Sequence, residues 1–365
     1  MRNSVICLLT ALVLTLATGR AFALTFTGIG AAYTYVTGMS ADGSVIVGVW
    51  GPLGPAWRWT AATGVVDIGS VSQIVAISRD GKTIVGTAKD ASGIAYAAIW
   101  QSGQQWVTLP PPANARVQDG KSTVGYNVSA DGSVIVGLAY LNPSRVEGFR
   151  YDAKSGTVPL GTLTSGRSRA SVVSADGNVV AGWDDLTGSG SGRGFWYGVI
   201  WWEGLERLMN PFNGIGQVEG INDSGSALVG IGHPLAWRHA YRFTSWDGHV
   251  EDLGALKRLP GGGIGIGGGP VDPTLEDTSV ATGVSDDATV VVGTSGYQPP
   301  TDAFIWTSDT KMVKLSDYLT GKGITGLEQW TLITAYKCSP DGKIIAGTGI
   351  NSAADRIEGY VVKLP

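Results

Sequence analysis

One short motif recurs seven times along this chain, and that recurrence limits the possible folds more than any other feature. The fullest copy reads Ser-Ala-Asp-Gly-Ser-Val-Ile-Val-Gly, from Ser40 to Gly48, whereas weaker copies replace its serine with Asn222 or its turn glycine with Ala288. The closing glycines, 38 to 63 residues apart, are Gly48, Gly86, Gly137, Gly182, Gly230, Gly293 and Gly347. Repeats of about 40–50 residues with several short strands are typical of β-propeller blades.

Each copy predicts four short antiparallel strands, named a to d in chain order. In the second repeat Asp80-Gly81 forms a tight turn between strands a and b, because glycine accepts the positive φ of such turns. The runs rich in β-branched and aromatic residues are 74–77, 82–85, 96–100 and 105–109. No segment shows a sustained 3.6-residue period, so we expect almost no helix. The sequence therefore predicts an all-β, seven-bladed β-propeller with four-stranded blades over residues 24–365.

Strand c has a constant pattern of small and large residues. One position is always small, and it is filled by Ala56, Ala97, Gly148, Gly198, Ala240, Ala303 and Gly359. The next position is usually large and apolar, and a further large residue follows two positions later. Alternate residues of a strand share one face. We therefore expect the large side chains of each blade to pack against a neighbouring blade.

The two ends of the chain are complementary. The seventh repeat stops after strand c, at 359–364, and so lacks a strand d. Residues 24–30 resemble the strand d at 65–69. We expect this N-terminal strand to close the last blade, which would remove an exposed sheet edge.

The repeats resemble extracellular HAF repeats, named for a His-Ala-Phe motif. That motif is represented here by His239-Ala-Tyr241, Asp302-Ala-Phe304 and Pro55-Ala-Trp57. The segment 338–343, Cys-Ser-Pro-Asp-Gly-Lys, is also similar to the core of WD40-like periplasmic propeller repeats. The resemblance covers nearly all of residues 24–365. It implies an exported β-propeller and no particular activity.

Residues 1–23 have the features of a secretory signal peptide. Arg2 is followed by the apolar run 5–17 and by the small-residue cleavage site Ala21-Phe22-Ala23. We expect export to the periplasm or beyond. No second apolar run of membrane-spanning length follows, so we expect no membrane insertion. The net charge of −4 gives no electrostatic reason to bind nucleic acid. Cys338 is the single cysteine after residue 23, so no internal disulfide is expected.

The loop lengths indicate which side of the propeller carries function. The a–b and c–d turns are short and share one side, called here the turn face. The long and irregular b–c and d–a connections share the other side, called here the loop face, and include 137–148, 182–198, 254–281 and 316–334. Binding residues concentrate on variable loops held by a rigid scaffold. We therefore place any site on the loop face, although such loops can also be tolerated insertions.

Strand a is expected to line the central channel, and five of its residues depart from the small or apolar pattern of the repeat. They are Tyr126, Asn127, Glu219, Tyr336 and Lys337. These departures mark candidate ligand-binding residues at the channel mouth. The alternative interpretation is a solvated channel with an incidental contact between Lys337 and Glu219.

Among the other polar candidates, the sequence favours His233, which lies in a b–c loop. His239 occupies a repeat position, and His249 lies in a c–d turn. There is no His-Glu-x-x-His or Cys-x-x-Cys spacing and no Gly-x-Ser-x-Gly elbow, so we expect no metal, cofactor or serine nucleophile. The glycine-rich run 263–268 matches a dinucleotide fingerprint in letters but lacks its strand–helix context.

Tryptophans and acids on the loop face complete the candidates. Trp237, Trp183 and Trp196 could serve as apolar platforms for sugar rings, or could simply pack. A pair of carboxyl groups could act as general acid and base. The acids in question are Asp184, Asp185, Glu147, Asp302, Glu358, Asp272, Glu276 and Asp277.

Three functions remain open from the sequence. The first is a monomeric binding or scaffolding propeller that holds a protein or glycan ligand on the loop face. The second is a carbohydrate-active enzyme, a lyase or hydrolase, with Tyr126, His233, Tyr336 and Lys337 at the channel mouth. The third is a structural surface module without a specific ligand. Convergence of Tyr126, Glu219 and Lys337 in one pocket, with His233 or Arg238 nearby, would favour the enzyme.

Overall fold

The fold was examined in a computed structural model that describes most of residues 24–365. The gaps in this description are 52–53, 70–74, 102, 104, 144, 164–165, 186–195, 209–214, 233–238, 245–249, 257–277 and 297–300. The predicted signal peptide, residues 1–23, lies outside the described residues. No helix in the described ranges is long and apolar enough to cross a membrane.

Seven four-stranded antiparallel sheets form the seven blades, which confirms the predicted fold. Strand β1 spans Thr25–Gly28. Blade 1 comprises β2 (Thr34–Met39), β3 (Val45–Trp50), β4 (Ala56–Thr60) and β5 (Gly64–Gly69). Blade 2 comprises β6 (Ala76–Ile77), β7 (Thr83–Lys89), β8 (Ala95–Gln101) and β9 (Val107–Thr108). Blade 3 comprises β10 (Thr123–Val128), β11 (Ile135–Leu141), β12 (Arg145–Asp152) and β13 (Gly156–Gly161).

The remaining blades repeat this order. Blade 4 comprises β14 (Ser168–Val173), β15 (Val180–Asp185), β16 (Trp196–Trp202) and β17 (Leu205–Leu208). Blade 5 comprises β18 (Ile215–Ile221), β19 (Leu228–Gly232), β20 (Ala240–Phe243) and β21 (Val250–Gly254). Blade 6 comprises β22 (Ser279–Val284), β23 (Val290–Ser295), β24 (Asp302–Thr307) and β25 (Lys311–Lys314). Blade 7 comprises β26 (Trp330–Cys338), β27 (Ile344–Asn351), β28 (Arg356–Lys363) and, as its fourth strand, β1.

The N-terminal strand closes the last blade as predicted. Strand β1 pairs antiparallel with β28, from Thr25 opposite Lys363 to Gly28 opposite Tyr360. The strand is shorter than the predicted segment 24–30. Both ends of the ring are therefore held in one sheet.

The recurrent motif forms a closed hydrogen-bonded turn. In blade 3 the buried Ser129 hydroxyl donates to the Asp131 carboxylate at 2.7 Å and accepts the Val134 amide at 2.9 Å. Asp131 also accepts the Ser133 amide, and Gly132 provides the positive φ of 79°. Hydrogen bonds to the charged form hold the pKa of Asp131 below its usual range. The serine and aspartate recur because they satisfy the polar groups of this turn.

The closing glycine of the motif leaves room for an aromatic side chain of strand c. A Cβ on Gly48 would lie 1.9 Å from the Tyr35 carbonyl oxygen and 2.5 Å from the Trp57 ring. Trp57 lies opposite Gly48 on the adjacent strand and is fully buried. Gly137 has the same relation to Phe149. Glycine is required at this position because a side chain would displace the buried ring.

Packing between blades confirms the contact that strand c predicts. Seven clusters of buried side chains in the described ranges correspond to the seven interfaces between neighbouring blades. In one of them Trp57 and Trp59 of blade 1 pack with Ala346 and Val361 of blade 7. The small residues of strand c face the following blade, since a Cβ on Gly148 would lie 2.8 Å from the Ala170 nitrogen. The repeat thus specifies its own neighbours.

A chain of hydrogen bonds, called here the collar, joins the blades around the channel on the turn face. It is formed by the residues that follow the motif serine or asparagine: Ala41, Arg79, Ala130, Ala175, Asp223, Asp286 and Pro340. In six of the seven blades the amide of this residue donates to the next blade, for example from Ala130 to the Ala175 carbonyl at 3.0 Å. Between blades 5 and 6 the acceptor is the Asp286 carboxylate. Pro340 has no N–H to donate to blade 1, so the collar is open at that interface.

One short helix corrects the expectation of an irregular loop at 316–334. Helix α1 spans Leu315–Gly321 and follows β25 directly. Leu315 and Leu319, four residues apart, are fully buried in the interface between blades 6 and 7. The sequence period was not recognised because the helix is only about two turns long.

Candidate functional site

Bulges in strand a direct the channel side chains. In β10 the pairing register passes from Gly125 to Asn127 and leaves Tyr126 as an extra residue. The same shift occurs in the first strand of six blades. A bulge re-aims side chains that regular alternation would send to opposite faces. Both Tyr126 and Asn127 consequently line the channel.

The structure brings all five predicted channel residues together. One small cavity is lined by Thr37, Ala76, Tyr126, Asn127, Arg169, Ser171, Glu219, Tyr336 and Lys337. These residues come from six of the seven blades. The geometric condition that favours an enzyme is thus met in part. Its histidine partner, His233, lies outside the described residues, as does Trp237.

Arg169, which the sequence analysis missed, is at the centre of this cluster. Its guanidinium lies 2.9 Å from the Glu219 carboxylate and donates to the Ser171 hydroxyl at 3.0 Å. The same group lies 5.1 Å from the ring centre of Tyr126 and 5.6 Å from that of Trp183. The arginine therefore links the channel to the wall of the loop face.

Burial changes the acidity of the channel groups. It raises the pKa of Tyr336 and of Tyr126, and the charge of Glu219 adds to both effects while Arg169 opposes them. Burial lowers the pKa of the Lys337 ammonium group. The Lys337 amine donates to the Thr282 carbonyl at 3.4 Å. It also lies 5.5 Å from the ring centre of Tyr336.

The channel is too small to accommodate an organic ligand in this structure. The cavity of the channel cluster has a volume of about 30 Å³, which is room for about one or two water molecules. A second cavity of about 100 Å³ lies toward the collar. There Arg79 reaches across the channel to form ion pairs with Asp223 and Asp286. The Arg79 ion pairs thus cross the channel at its collar end.

A larger cleft opens on the loop face between blades 3 and 4. It has a volume of about 410 Å³ and is lined by Arg116, Gln118, Leu138, Tyr140, Val146, Arg167 and Trp183. The cleft belongs to the loop face because Arg116 and Arg167 lie in d–a connections, while Tyr140 lies near the end of β11. Ligand pockets of small molecules usually measure about 300–1,000 Å³. This cleft is large enough to hold a ligand.

The cleft walls combine planar rings with hydrogen-bond donors. Arg116 is held by hydrogen bonds to the Leu141 carbonyl at 2.8 Å and to the Gln118 side chain at 2.5 Å. Burial and the charge of Asp119 raise the pKa of Tyr140, against the opposing charges of Arg116 and Arg167. The Tyr140 hydroxyl is therefore protonated and able to donate at neutral pH.

Trp183 and Trp196, two of the three predicted aromatic platforms, stack on each other beside the cleft. Their ring centres are 5.0 Å apart with an angle of 23° between the planes. Trp183 is almost fully buried, whereas Trp196 is 38% exposed. The indole nitrogen of Trp183 has no hydrogen-bond partner in the described part of the chain. Trp196 thus presents an apolar face beside the cleft.

Several of the predicted acids have structural partners instead of an open site. Glu147 forms an ion pair with Arg145 at 2.5 Å. The buried Glu358 accepts the Gly30 amide at 2.5 Å and pairs with Arg356. Three further acids, Asp272, Glu276 and Asp277, lie outside the described residues.

The first position of the His-Ala-Phe motif has a common structural role. His239 lies 3.0 Å from Asp252 of strand d. Asp302 lies 3.1 Å from Lys314, and Glu358 accepts the amide of Gly30 just beyond β1. In each case a side chain at the start of strand c is bonded to strand d or its end in the same blade. These contacts explain the first motif position in blades 5, 6 and 7 without a ligand.

One pair of carboxyl groups is unusual. Asp184 is fully buried and accepts the Leu163 amide at 3.0 Å. Burial and then the neighbouring Asp184 raise the pKa of Glu206 to about 9, and burial also raises the pKa of Asp184. Both carboxyl groups therefore hold a proton more strongly than exposed acids do. Within the described ranges, no group of three or more His, Cys, Asp or Glu residues is placed to hold a metal ion.

The sequence contained a signal for one missed residue and none for the others. Arg169 occupies a strand-a position filled elsewhere by Tyr35, Val124, Gln217, Val280 and Thr334, so its charge departs from the repeat. Arg116 and Arg167 lie in connections that do not repeat. Their proximity follows from blade packing and could not be obtained from spacing.

Comparisons with known proteins support the fold. No protein-family model matches the chain. No curated protein matches it either. Among solved structures, an oligogalacturonate lyase from Vibrio parahaemolyticus is 11% identical with a TM-score of 0.54, and 95% of each chain is covered. The β-propeller domain of the Trilobed protease from Pyrococcus furiosus is 12% identical with a TM-score of 0.53, covering 91% of this chain and 94% of that one.

A third similarity, to TolB from Acinetobacter baumannii, is weaker. The identity is 15% and the TM-score 0.40, with 75% of this chain and 52% of that chain covered. The chain thus spans about half the length of that TolB. At such identities the two stronger matches show the fold alone, which is a seven-bladed β-propeller.

Proposed function

We propose that this chain is a ligand-binding propeller module whose site is the cleft between blades 3 and 4, and that its ligand is a glycan. The observation that carries the proposal is a concave cleft of about 410 Å³ on the loop face, with planar and hydrogen-bonding side chains in its wall. A cleft of this size fits one or two sugar units better than the broad, flat contact of a protein partner.

The chemistry of the wall supports a sugar ligand. A sugar ring presents an apolar C–H face and a rim of hydroxyl groups. The stacked pair Trp183 and Trp196 offers a planar apolar surface beside the cleft. Tyr140 and Gln118 offer hydroxyl and amide groups that can bond the rim.

Export is part of the same proposal. Residues 1–23 have the features of a signal peptide, and a glycan-binding module meets its ligand outside the cytoplasm. Membership of the HAF-repeat family is likewise proposed on the motifs at Pro55, His239 and Asp302. Mass spectrometry of protein from the periplasmic and secreted fractions tests export, because the expected N-terminus is Leu24.

A glycan array tests the binding function. The protein spanning residues 24–365 is applied to the array, and both retention and release of reducing or unsaturated ends are measured. We expect retention without cleavage. We expect Tyr140→Ala to weaken retention about tenfold or more, as the loss of an aromatic wall and a hydroxyl donor implies. Tyr33→Ala is the matched control, since Tyr33 is exposed and does not line the cleft.

Each of the other array results would favour a different function or site. Cleavage of a glycan would favour the enzyme alternative and direct mutagenesis to Tyr126, Tyr336 and Lys337. Equal loss in the Tyr140 and Tyr33 variants would exclude the cleft as the site. If no glycan is retained, a protein ligand or a structural surface role remains, and affinity capture from an envelope fraction separates these two.

A further inference from the structure

The two cleft arginines have no acidic partner in the described ranges, a condition that they share there with Arg58 and Arg207. Six other arginines form ion pairs, namely Arg79, Arg145, Arg150, Arg169, Arg242 and Arg356. Neither Arg116 nor Arg167 lies within ion-pair distance of a carboxylate in the described ranges. In an acidic protein with more carboxylates than cations, two unpaired guanidinium groups in one cleft require an explanation.

The acids near the cleft do not neutralise these charges. Glu147 is already paired with Arg145. Burial raises the pKa of Asp184, which favours its neutral form. Asp119 is exposed on the d–a connection, and the charges of Arg116 and Arg167 oppose its effect on the pKa of the Tyr140 hydroxyl. The lining of the cleft itself contains two guanidinium groups and no carboxylate.

The geometry of the two arginines suits a ligand. Arg116 uses two of its donors to hold the Leu141 carbonyl and the Gln118 side chain, which fixes the direction of its remaining donors. Arg167 is exposed at the rim, and its backbone carbonyl accepts the Asp185 amide at 2.7 Å. A half-buried guanidinium held in the wall and an exposed guanidinium at the rim can both donate to one oxyanion.

We propose that the cleft selects acidic sugars, with Arg116 and Arg167 binding the carboxylate of a uronic acid unit and Tyr140 donating to it. The inference rests on the proposed glycan-binding function and names its substrate class. A carboxylate is preferred to a sulfate because its two coplanar oxygens match the planar fork of a guanidinium.

Matched oligosaccharides test the charge requirement. Calorimetric titration compares uronic acid oligosaccharides with the same oligosaccharides after reduction of their carboxyl groups to alcohols. We expect the acidic form to bind about tenfold or more tightly, in keeping with hydrogen bonds to charged groups. We also expect this advantage to fall as salt is raised from low to physiological concentration.

Variants distinguish this inference from the function on which it rests. Arg167→Gln is expected to remove the preference for the acidic form and to leave binding of the reduced form unchanged. Its side chain is exposed, so the substitution does not disturb packing. Arg207→Gln is the matched control, because Arg207 is exposed on blade 4, lies over Trp202 and does not line the cleft. Arg116→Gln is expected to act in the same direction as Arg167→Gln.

The possible results distinguish failure of this inference from failure of the proposed function. Equal binding of acidic and reduced sugars, or an Arg167 variant that behaves like the Arg207 variant, would overturn the inference and leave glycan binding intact. Equal binding of a sulfated oligosaccharide without carboxylates would overturn the carboxylate assignment. Failure of every oligosaccharide to bind would overturn both the inference and the proposed function.

Discussion

Replacing the motif serine of blade 3 is expected to destabilise the protein through a single amide group. In Ser129→Ala the hydroxyl that accepts the Val134 amide at 2.9 Å is lost, together with its donation to Asp131. Ser129 is buried, and water cannot replace the hydroxyl without a local opening. A buried donor left without a partner costs about 1–3 kcal/mol.

The matched control lies in the same turn. The Ser133 hydroxyl also donates to Asp131 at 2.7 Å, but it does so on the exposed surface. Ser133→Ala should therefore change the free energy of unfolding by less than about 0.5 kcal/mol. Both variants remove one hydroxyl and one contact with Asp131, and they differ in whether a buried amide is left unpaired.

Urea unfolding followed by tryptophan fluorescence is the measurement. With a slope of about 3 kcal/mol per molar urea, the Ser129 variant should unfold at a midpoint about 0.3–1 M lower than the native chain, and the Ser133 variant should not. If the two variants shift equally, the recurrent motif serine does not stabilise the turn by pairing the buried Val134 amide.

Three further predictions concern packing and charge. Gly48→Ala should prevent folding or lower the free energy of unfolding by more than about 4 kcal/mol, because the added Cβ meets backbone and a buried ring. In the control Gly64→Ala the added Cβ meets open space but must adopt a positive φ, which should lower that free energy by about 1 kcal/mol. Thermal unfolding followed by circular dichroism compares the two variants. Burial raises the folded-state pKa of Glu206 from 4.5 to about 9. Between these pH values the unfolded chain releases a proton that the folded chain still holds, so stability falls as pH rises. Glu206→Gln should therefore raise the urea midpoint at pH 8 and much less at pH 5, while Glu203→Gln, on the exposed turn beside it, should show no such difference. Arg169→Met should lower the free energy of unfolding by about 1–2 kcal/mol, because it leaves the half-buried Glu219 carboxylate unpaired. A double variant that also neutralises Glu219 should recover part of this loss.

Much of the fold could be predicted because every blade is built from the same local contacts. The Ser-x-Asp-Gly turn, the closing glycine and the small residue of strand c are each required by contacts within a blade or with the next one. Closure of the ring by β1 also followed from likeness between 24–30 and other strands d. Helix α1 was missed because two buried leucines do not make a recognisable period.

The site was predicted less well, for a physical reason. Departures from the repeat identified the channel residues, and bulges do bring Tyr126, Glu219 and Lys337 together. What the sequence could not show is that Arg169 fills the space among them. The cleft was missed because Arg116 and Arg167 belong to different connections, and neighbouring blades place such segments side by side without any spacing rule.

The seam between blades 7 and 1 has a mechanical consequence. At this seam the collar lacks its seventh bond because of Pro340, and inside the adjoining blade 7 strand β1 pairs antiparallel with β28, with Thr25 beside Lys363. A pulling force applied through these adjacent ends loads the pairs one after another, as in opening a zipper, instead of all at once as in shear. The ring is therefore expected to yield first at this seam and at low force, which an optical-trap experiment on the two ends would measure.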